Sequence, residues 1–237
     1  MKRRPPAPLI CTLLALLGLV AAPSGTGRAA SPGFDTWEPE IRRFEQADSV
    51  AAPAQGAVVF TGSSSIRMWE TLSADFSGMT VINRGFGGSE IVDATHFAER
   101  VVLKYRPETV VLYAGDNDLN NGRTPAEVAG AFKAFVARIR RDLPRARIVY
   151  IAIKPSPSRW ALVERIRAAN ATIRAFCATQ RDVAFVDVFT PMLTPAGRPR
   201  PELFLPDSLH MTRGGYDLWT SLVRPAVAAS RPKPRGR

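Results

Sequence analysis

Ala57-Val58-Val59-Phe60-Thr61-Gly62-Ser63-Ser64-Ser65-Ile66 is an apolar, β-branched run that breaks at a glycine into three serines. A short continuous run of this kind, bounded by turn formers, reads as a strand buried on both faces, followed by the turn into a helix. The pattern recurs at Thr80 to Asn83, Thr109 to Ala114, Ile148 to Ile153 and Val183 to Val188. Between these runs the period changes to that of a helix. Thr124 is followed by Pro125 and, three residues on, by Glu127, a capping box with proline at the first helical position. Val128, Phe132, Phe135, Val136 and Ile139 then form one apolar stripe. A second helix is expected from about Arg159 to Thr179, with Val163, Ile166, Ile173 and Cys177 on one side, and a last one from near Gly214 to around Pro225 or shortly after. Strands alternating with helices predict a three-layer α/β/α arrangement around a five-stranded parallel sheet covered on both faces. The stretch from Thr190 to Pro206, rich in proline and glycine, reads as a loop that leads to a site or covers one.

The chain has 237 residues, 46% apolar and 22% charged, which excludes a wholly disordered chain and a multi-span membrane protein. Two Cys and two His exclude a disulfide framework and a His-rich metal site. The formal charge of +11 sits mostly at the ends: four cations without an acid in residues 1–29 and four more in 231–237 leave a net of +3 for the middle. No aromatic-interleaved basic stripe accompanies the charge, so a nucleic-acid partner is not expected.

Met1 to Arg4 is basic, Leu9 to Ala22 is an apolar run of 14 residues, and Ser24 to Ala30 is small and turn-forming, the layout of a secretory signal peptide over residues 1–29. A secreted or periplasmic protein is expected. The alternative is an uncleaved membrane anchor, for which the run is short of the roughly 20 residues a spanning helix needs. The remainder divides into one domain over residues 30–230 and a basic, disordered tail over 231–237 that could touch an anionic envelope. Cys177 is then the lone cysteine, either a small core residue or a reactive thiol.

In open parallel sheets reacting groups gather beyond the carboxyl ends of the strands. There the sequence places Gly62-Ser63-Ser64-Ser65, Asn83-Arg84-Gly85-Phe86-Gly87-Gly88-Ser89, Gly115-Asp116-Asn117-Asp118 and, after the long loop, Asp207-Ser208-Leu209-His210. A serine nucleophile needs a base, the base needs an orienting acceptor, and the developing oxyanion needs donors. These four segments contain each of those groups. His96 is the rival base, but it falls opposite the Ile91, Ala98 and Val102 stripe of its own helix and reads as a surface residue. The third glycine of a dinucleotide loop starting at Gly85 would fall at Glu90, so the nucleotide reading fails. Gly-x-Ser-x-Gly is not matched either. Taken singly, Asn117 could tie a turn together, and Asp207 with His210 could be a satisfied helix cap.

In that order and spacing the segments resemble the SGNH (GDSL-type) hydrolase family, from about Val58 to Trp219. The resemblance implies a flavodoxin-like fold and a nucleophile at Ser64. It also implies an oxyanion hole from the backbone N–H groups of Ser64 and Gly88 and the side chain of Asn117, with Asp207 and His210 completing the triad. No metal or organic cofactor is implied. Ser63 stands where the family usually carries an acid, and Ser65 where it carries an aliphatic residue, which leaves Ser63 and Ser65 as rival positions for the nucleophile. Arg84, Arg159 and Trp160 are candidates for substrate contact, with a surface arginine or a core-capping ring as the alternatives. The function expected is hydrolysis of carboxylic esters of an acylated small molecule, lipid or carbohydrate through an acyl-enzyme. The competing expectation is a catalytically inactive envelope-binding module on the same fold.

Overall fold

The apolar runs form five strands in the computed structural model, which describes residues 33–229 and Met1. They are β1 (Val58–Gly62), β2 (Val81–Gly85), β3 (Thr109–Tyr113), β4 (Arg147–Ile151) and β5 (Val183–Val186). All pair in parallel, in the order β2-β1-β3-β4-β5. The expected signal peptide, apart from Met1, and the basic tail lie outside the described residues. Among those described, no helix is long and apolar enough to cross a membrane.

Nine α-helices connect and cover the sheet: α1 (Glu38–Val50), α2 (Ser64–Arg67), α3 (Leu72–Asp75), α4 (Ile91–His96), α5 (Ala98–Val101), α6 (Asp116–Asn120), α7 (Pro125–Asp142), α8 (Val163–Thr179) and α9 (Arg213–Ala228), counted among the described residues. Successive strand residues point to opposite faces, so each strand contributes to two cores. Val110 and Leu112 of β3 pack with Ile148 and Tyr150 of β4 under the Phe132, Phe135 and Ile139 stripe of α7. Val111 and Tyr113 pack with Val149 and Ile151 under Trp69 and the Trp219 and Val223 face of α9. This is the three-layer architecture the alternation predicted.

Several boundaries differ from the sequence reading. Strand β4 ends at Ile151, because the Asn170 side chain of α8 takes over both backbone groups of Ile153, accepting its N–H and donating to its carbonyl, each at 2.9 Å. The helix expected from Arg159 begins only at Val163, preceded by a 3-10 turn over Pro157–Leu162. The last helix, in contrast, ends where expected, shortly after Pro225, at Ala228. Proline there removes a single N–H near the end, while Val223 and Val227 remain buried in the core on either side. Helix α1 carries no apolar stripe to announce it, since Ile41 is its one buried residue. To the apolar contacts of Ile41 and Phe44 its docking adds ion pairs, through Glu38 and Glu45, which both clasp Arg100 at 2.7 Å.

Candidate active site

The register of the sheet brings the ends of β1 and β3 side by side, with Gly62 opposite Tyr113. Gly62 has φ +116, and a Cβ there would lie 1.9 Å from the Tyr113 carbonyl oxygen. Glycine alone allows that approach, and it lets the N–H of Ser63 donate to the same oxygen at 2.9 Å. The chain then enters α2 at Ser64. Ser63 and Ser65 are buried, whereas the Ser64 hydroxyl lies 2.9 Å from His210 Nε2. Of the three adjacent serines, therefore, Ser64 is the one that meets the imidazole.

The other side of that imidazole is held by a local turn. His210 Nδ1 lies 2.6 Å from Asp207 Oδ2, while Asp207 Oδ1 accepts the N–H groups of Leu209 and His210, each at 2.9 Å. The chain makes this turn by taking Ser208 into the left-handed region at φ +59. The hydrogen bond from His210, followed by that from the Leu209 amide, holds the Asp207 carboxyl down to about 2. A carboxylate acceptor fixes the ring tautomer with Nδ1 protonated and Nε2 free to accept from Ser64. The turn is anchored from two directions, by Leu205 N–H to the His210 carbonyl at 2.8 Å and by Ser158 N–H to the Ser208 carbonyl at 3.0 Å.

The loop after β2 is tied to the end of β1 by the Phe86 N–H, which donates to the Gly62 carbonyl at 2.8 Å. Gly88 has φ +78, and a Cβ there would come to 3.1 Å from the Trp37 ring, so the loop after β2 is pressed against that indole. The Asn117 side-chain amide donates to the Ser89 carbonyl at 3.1 Å, joining the Gly88 loop to α6, and its second N–H is left for another acceptor. Residues 48–218 match the GDSL-like Lipase/Acylhydrolase family. The chain belongs to that family.

Membership makes the chain a serine hydrolase. Platelet-activating factor acetylhydrolase IB subunit alpha1 of Homo sapiens is 30% identical over 168 residues, 67% of this chain and 70% of that protein. A GDSL-like lipase from Bacteroides thetaiotaomicron superposes with a TM-score of 0.68 at 22% identity, over 79% of this chain and 96% of its own. A carbohydrate esterase family 3 structure from Talaromyces cellulolyticus gives 0.58 at 19% identity, over 72% and 95%. At those identities the solved structures bear on the fold alone.

Other expected residues are placed differently. Arg84 does not serve as a free cation for an anionic substrate. Its guanidinium is 11% exposed, pairs with Asp48 at 2.5 Å and donates to the Tyr105 hydroxyl at 2.7 Å, tying β2 to α1. Arg159 is half-buried on the 3-10 turn, with its Nε buried and unpartnered among the described residues. Its charge bears on Asp116. Trp160 lies half-buried on the same turn with the Arg198 guanidinium 4.7 Å above its ring, and Ser158 ties that turn to the His210 segment. His96 is exposed and stacks on Phe34, with ring centroids 3.8 Å apart, as a surface residue would. Cys177 is buried, and burial raises its thiol to about 11, which makes it a core residue rather than a nucleophile.

Sequence reasoning gave no role of their own to three residues behind the site, Lys154, Asp116 and Asp118. Lys154 donates to Ser65 Oγ at 3.0 Å, to the Tyr113 hydroxyl at 3.0 Å and to Asp116 Oδ2 at 3.1 Å, in a fully buried cluster. Burial pushes the Asp116 carboxyl up, but the charge and hydrogen bond of Lys154 outweigh it and leave the group below the usual range. Asp118 contrasts with it. Burial raises that carboxyl to about 8, against the hydrogen bond it accepts from Ile91 N–H at 3.1 Å.

Proposed function

We propose that the protein is an exported serine esterase that hydrolyses carboxylic esters by way of an acyl-enzyme formed on Ser64. The observation that carries this is the continuous line from Ser64 Oγ through the imidazole of His210 to Asp207, with links of 2.9 and 2.6 Å. In this reading His210 Nε2 accepts the Ser64 proton as the oxygen attacks the ester carbonyl, and Asp207 stabilises the imidazolium that forms. The tetrahedral oxyanion is received by the backbone N–H groups of Ser64 and Gly88 and by the second N–H of Asn117 Nδ2. The C–O bond to the alcohol then breaks, and the alcohol departs with the proton from His210. Water attacks the acyl-enzyme, giving a proton to His210, which returns it to Ser64 as the carboxylic acid leaves.

Trp160 and Arg198, on segments joined to the His210 turn, are the contacts proposed for the part of the substrate beyond the scissile bond. A relative at 30% identity is named an acetylhydrolase, which favours a short acyl group, carried on a lipid or carbohydrate alcohol, as the substrate class. The basic start and apolar run of residues 1–29 support delivery of the enzyme outside the cytoplasm. An inactive envelope-binding module would have no use for the intact Ser64, His210 and Asp207 line. The test is hydrolysis of an aryl acetate and labelling by a serine-directed phosphonate. Ser64→Ala is expected to abolish both with an unchanged melting temperature, and full activity in that variant would remove the assignment.

A further inference from the structure

Lys154 is 1% exposed, on the segment that leaves β4. An ammonium has three N–H donors and no acceptor, and here all three are matched, by Ser65 Oγ, Tyr113 Oη and Asp116 Oδ2. Those acceptors come from the ends of two strands other than its own. Ser65 follows Ser64 beyond β1, Tyr113 ends β3, and Asp116 precedes Asn117 beyond β3. Asp116 also uses its second oxygen to accept the N–H of Asn117 at 3.0 Å, and it accepts the Tyr113 hydroxyl at 3.0 Å. A continuous line of hydrogen bonds thus runs from the neighbour of Ser64 to the backbone of Asn117.

A serine beside a lysine also suggests a second nucleophile and base, and the geometry argues against it. The Ser65 side chain is buried, and the Lys154 nitrogen is donating to an ionised carboxylate, with no lone pair to take a proton. Stability alone does not account for the pair either, because a buried ion pair can often be exchanged for apolar groups of the same volume without loss. What an apolar group cannot do is hold three strand ends in one geometry. We propose that Lys154 is a positioning residue, clamping the loop that carries Ser64 to the loop that carries Asn117 so that nucleophile and oxyanion donor stay in register. This rests on the catalytic reading of Ser64.

The test compares the intact protein with Lys154→Met and with Lys154→Met/Asp116→Asn, the double variant removing the buried charge along with its partner so that folding is preserved. The double variant is expected to melt near the wild-type temperature. Its kcat on an aryl acetate should fall ~10²-fold, as a displacement of about an ångström in a reacting group would produce, with KM within about threefold. Amide hydrogen exchange in residues 62–67 and 115–121 should quicken in that variant, while β5 stays protected. A folded double variant with kcat within about threefold of wild type overturns the proposal. Should the wild-type protein neither hydrolyse an ester nor take the phosphonate, the catalytic reading falls by itself. Exchange then decides the clamp: quickening at those two segments supports it, and unchanged protection overturns it.

Discussion

Asp207 and His210 meet at 2.6 Å with side chains 47% and 20% exposed, whereas Asp116 and Lys154 meet at 3.1 Å with side chains 5% and 1% exposed. Both pairs serve the same turn. The first is made by residues three apart, shaped by a left-handed Ser208, and its carboxylate stays in contact with water. The second joins residues from different strand ends and has no water to fall back on. An exposed ion pair contributes about 0–1 kcal/mol to folding, while a buried one that loses a single partner leaves an uncompensated charge and destabilises strongly. In the proposed mechanism, then, the group that moves protons and the group that holds shape are separate, and substitution should affect them differently.

The largest separation is expected at Asp207. Asp207→Asn removes the acceptor that fixes the His210 tautomer, and a fall of ~10⁴-fold in kcat is expected with little change in melting, by analogy with serine proteases. A variant that kept activity but lost stability would invert the comparison. Next comes Lys154→Met alone, which strands the Asp116 carboxylate. Urea unfolding should report a loss of roughly 3–5 kcal/mol, most of it recovered when Asp116→Asn is added. Asn117→Ala follows, with kcat expected to fall ~10²- to 10³-fold through loss of one oxyanion donor while KM for an aryl acetate stays close to wild type.

The smallest effect sharpens the comparison through a third carboxyl, buried without an ion-pair partner among the described residues. Asp118 is raised by burial from 3.8 to about 8, so the fold favours its protonated form. The stability this contributes is fully present below about pH 4 and is lost as pH rises through about 8. Asp118→Asn should therefore match wild type in melting at pH 4 and exceed it by a few degrees at pH 9. Equal melting temperatures at both pH values would show that Asp118 is not carrying a buried charge.

The strands were legible because burial on both faces leaves continuous apolar runs, and three of the four candidate segments were legible because each lies at or just after the end of a strand. Asp207 and His210 needed no tertiary knowledge to be paired, being three residues apart. Lys154 and Arg84 were not legible in the same way, and for one reason. A cation's meaning depends on its partner, and Asp116 and Asp48 lie 38 and 36 residues away along the chain. Sequence alone makes Arg84 a plausible binding residue, while the ring of Tyr105 and the carboxylate of Asp48 close around it only in the folded protein. Helix α1 was missed on similar grounds, since its docking depends on Arg100, which lies beyond two strands.

Strands β1 and β3 are neighbours in the sheet, and Ser64 and Asn117 leave from their adjacent ends. Adjacent strands lie about 4.8 Å apart, so the ladder starts the two segments side by side, and the proposed Lys154 clamp has only their final register to set. The turn at Trp160 and the loop at Arg198 can therefore vary without moving the strand ends from which Ser64 and Asn117 leave.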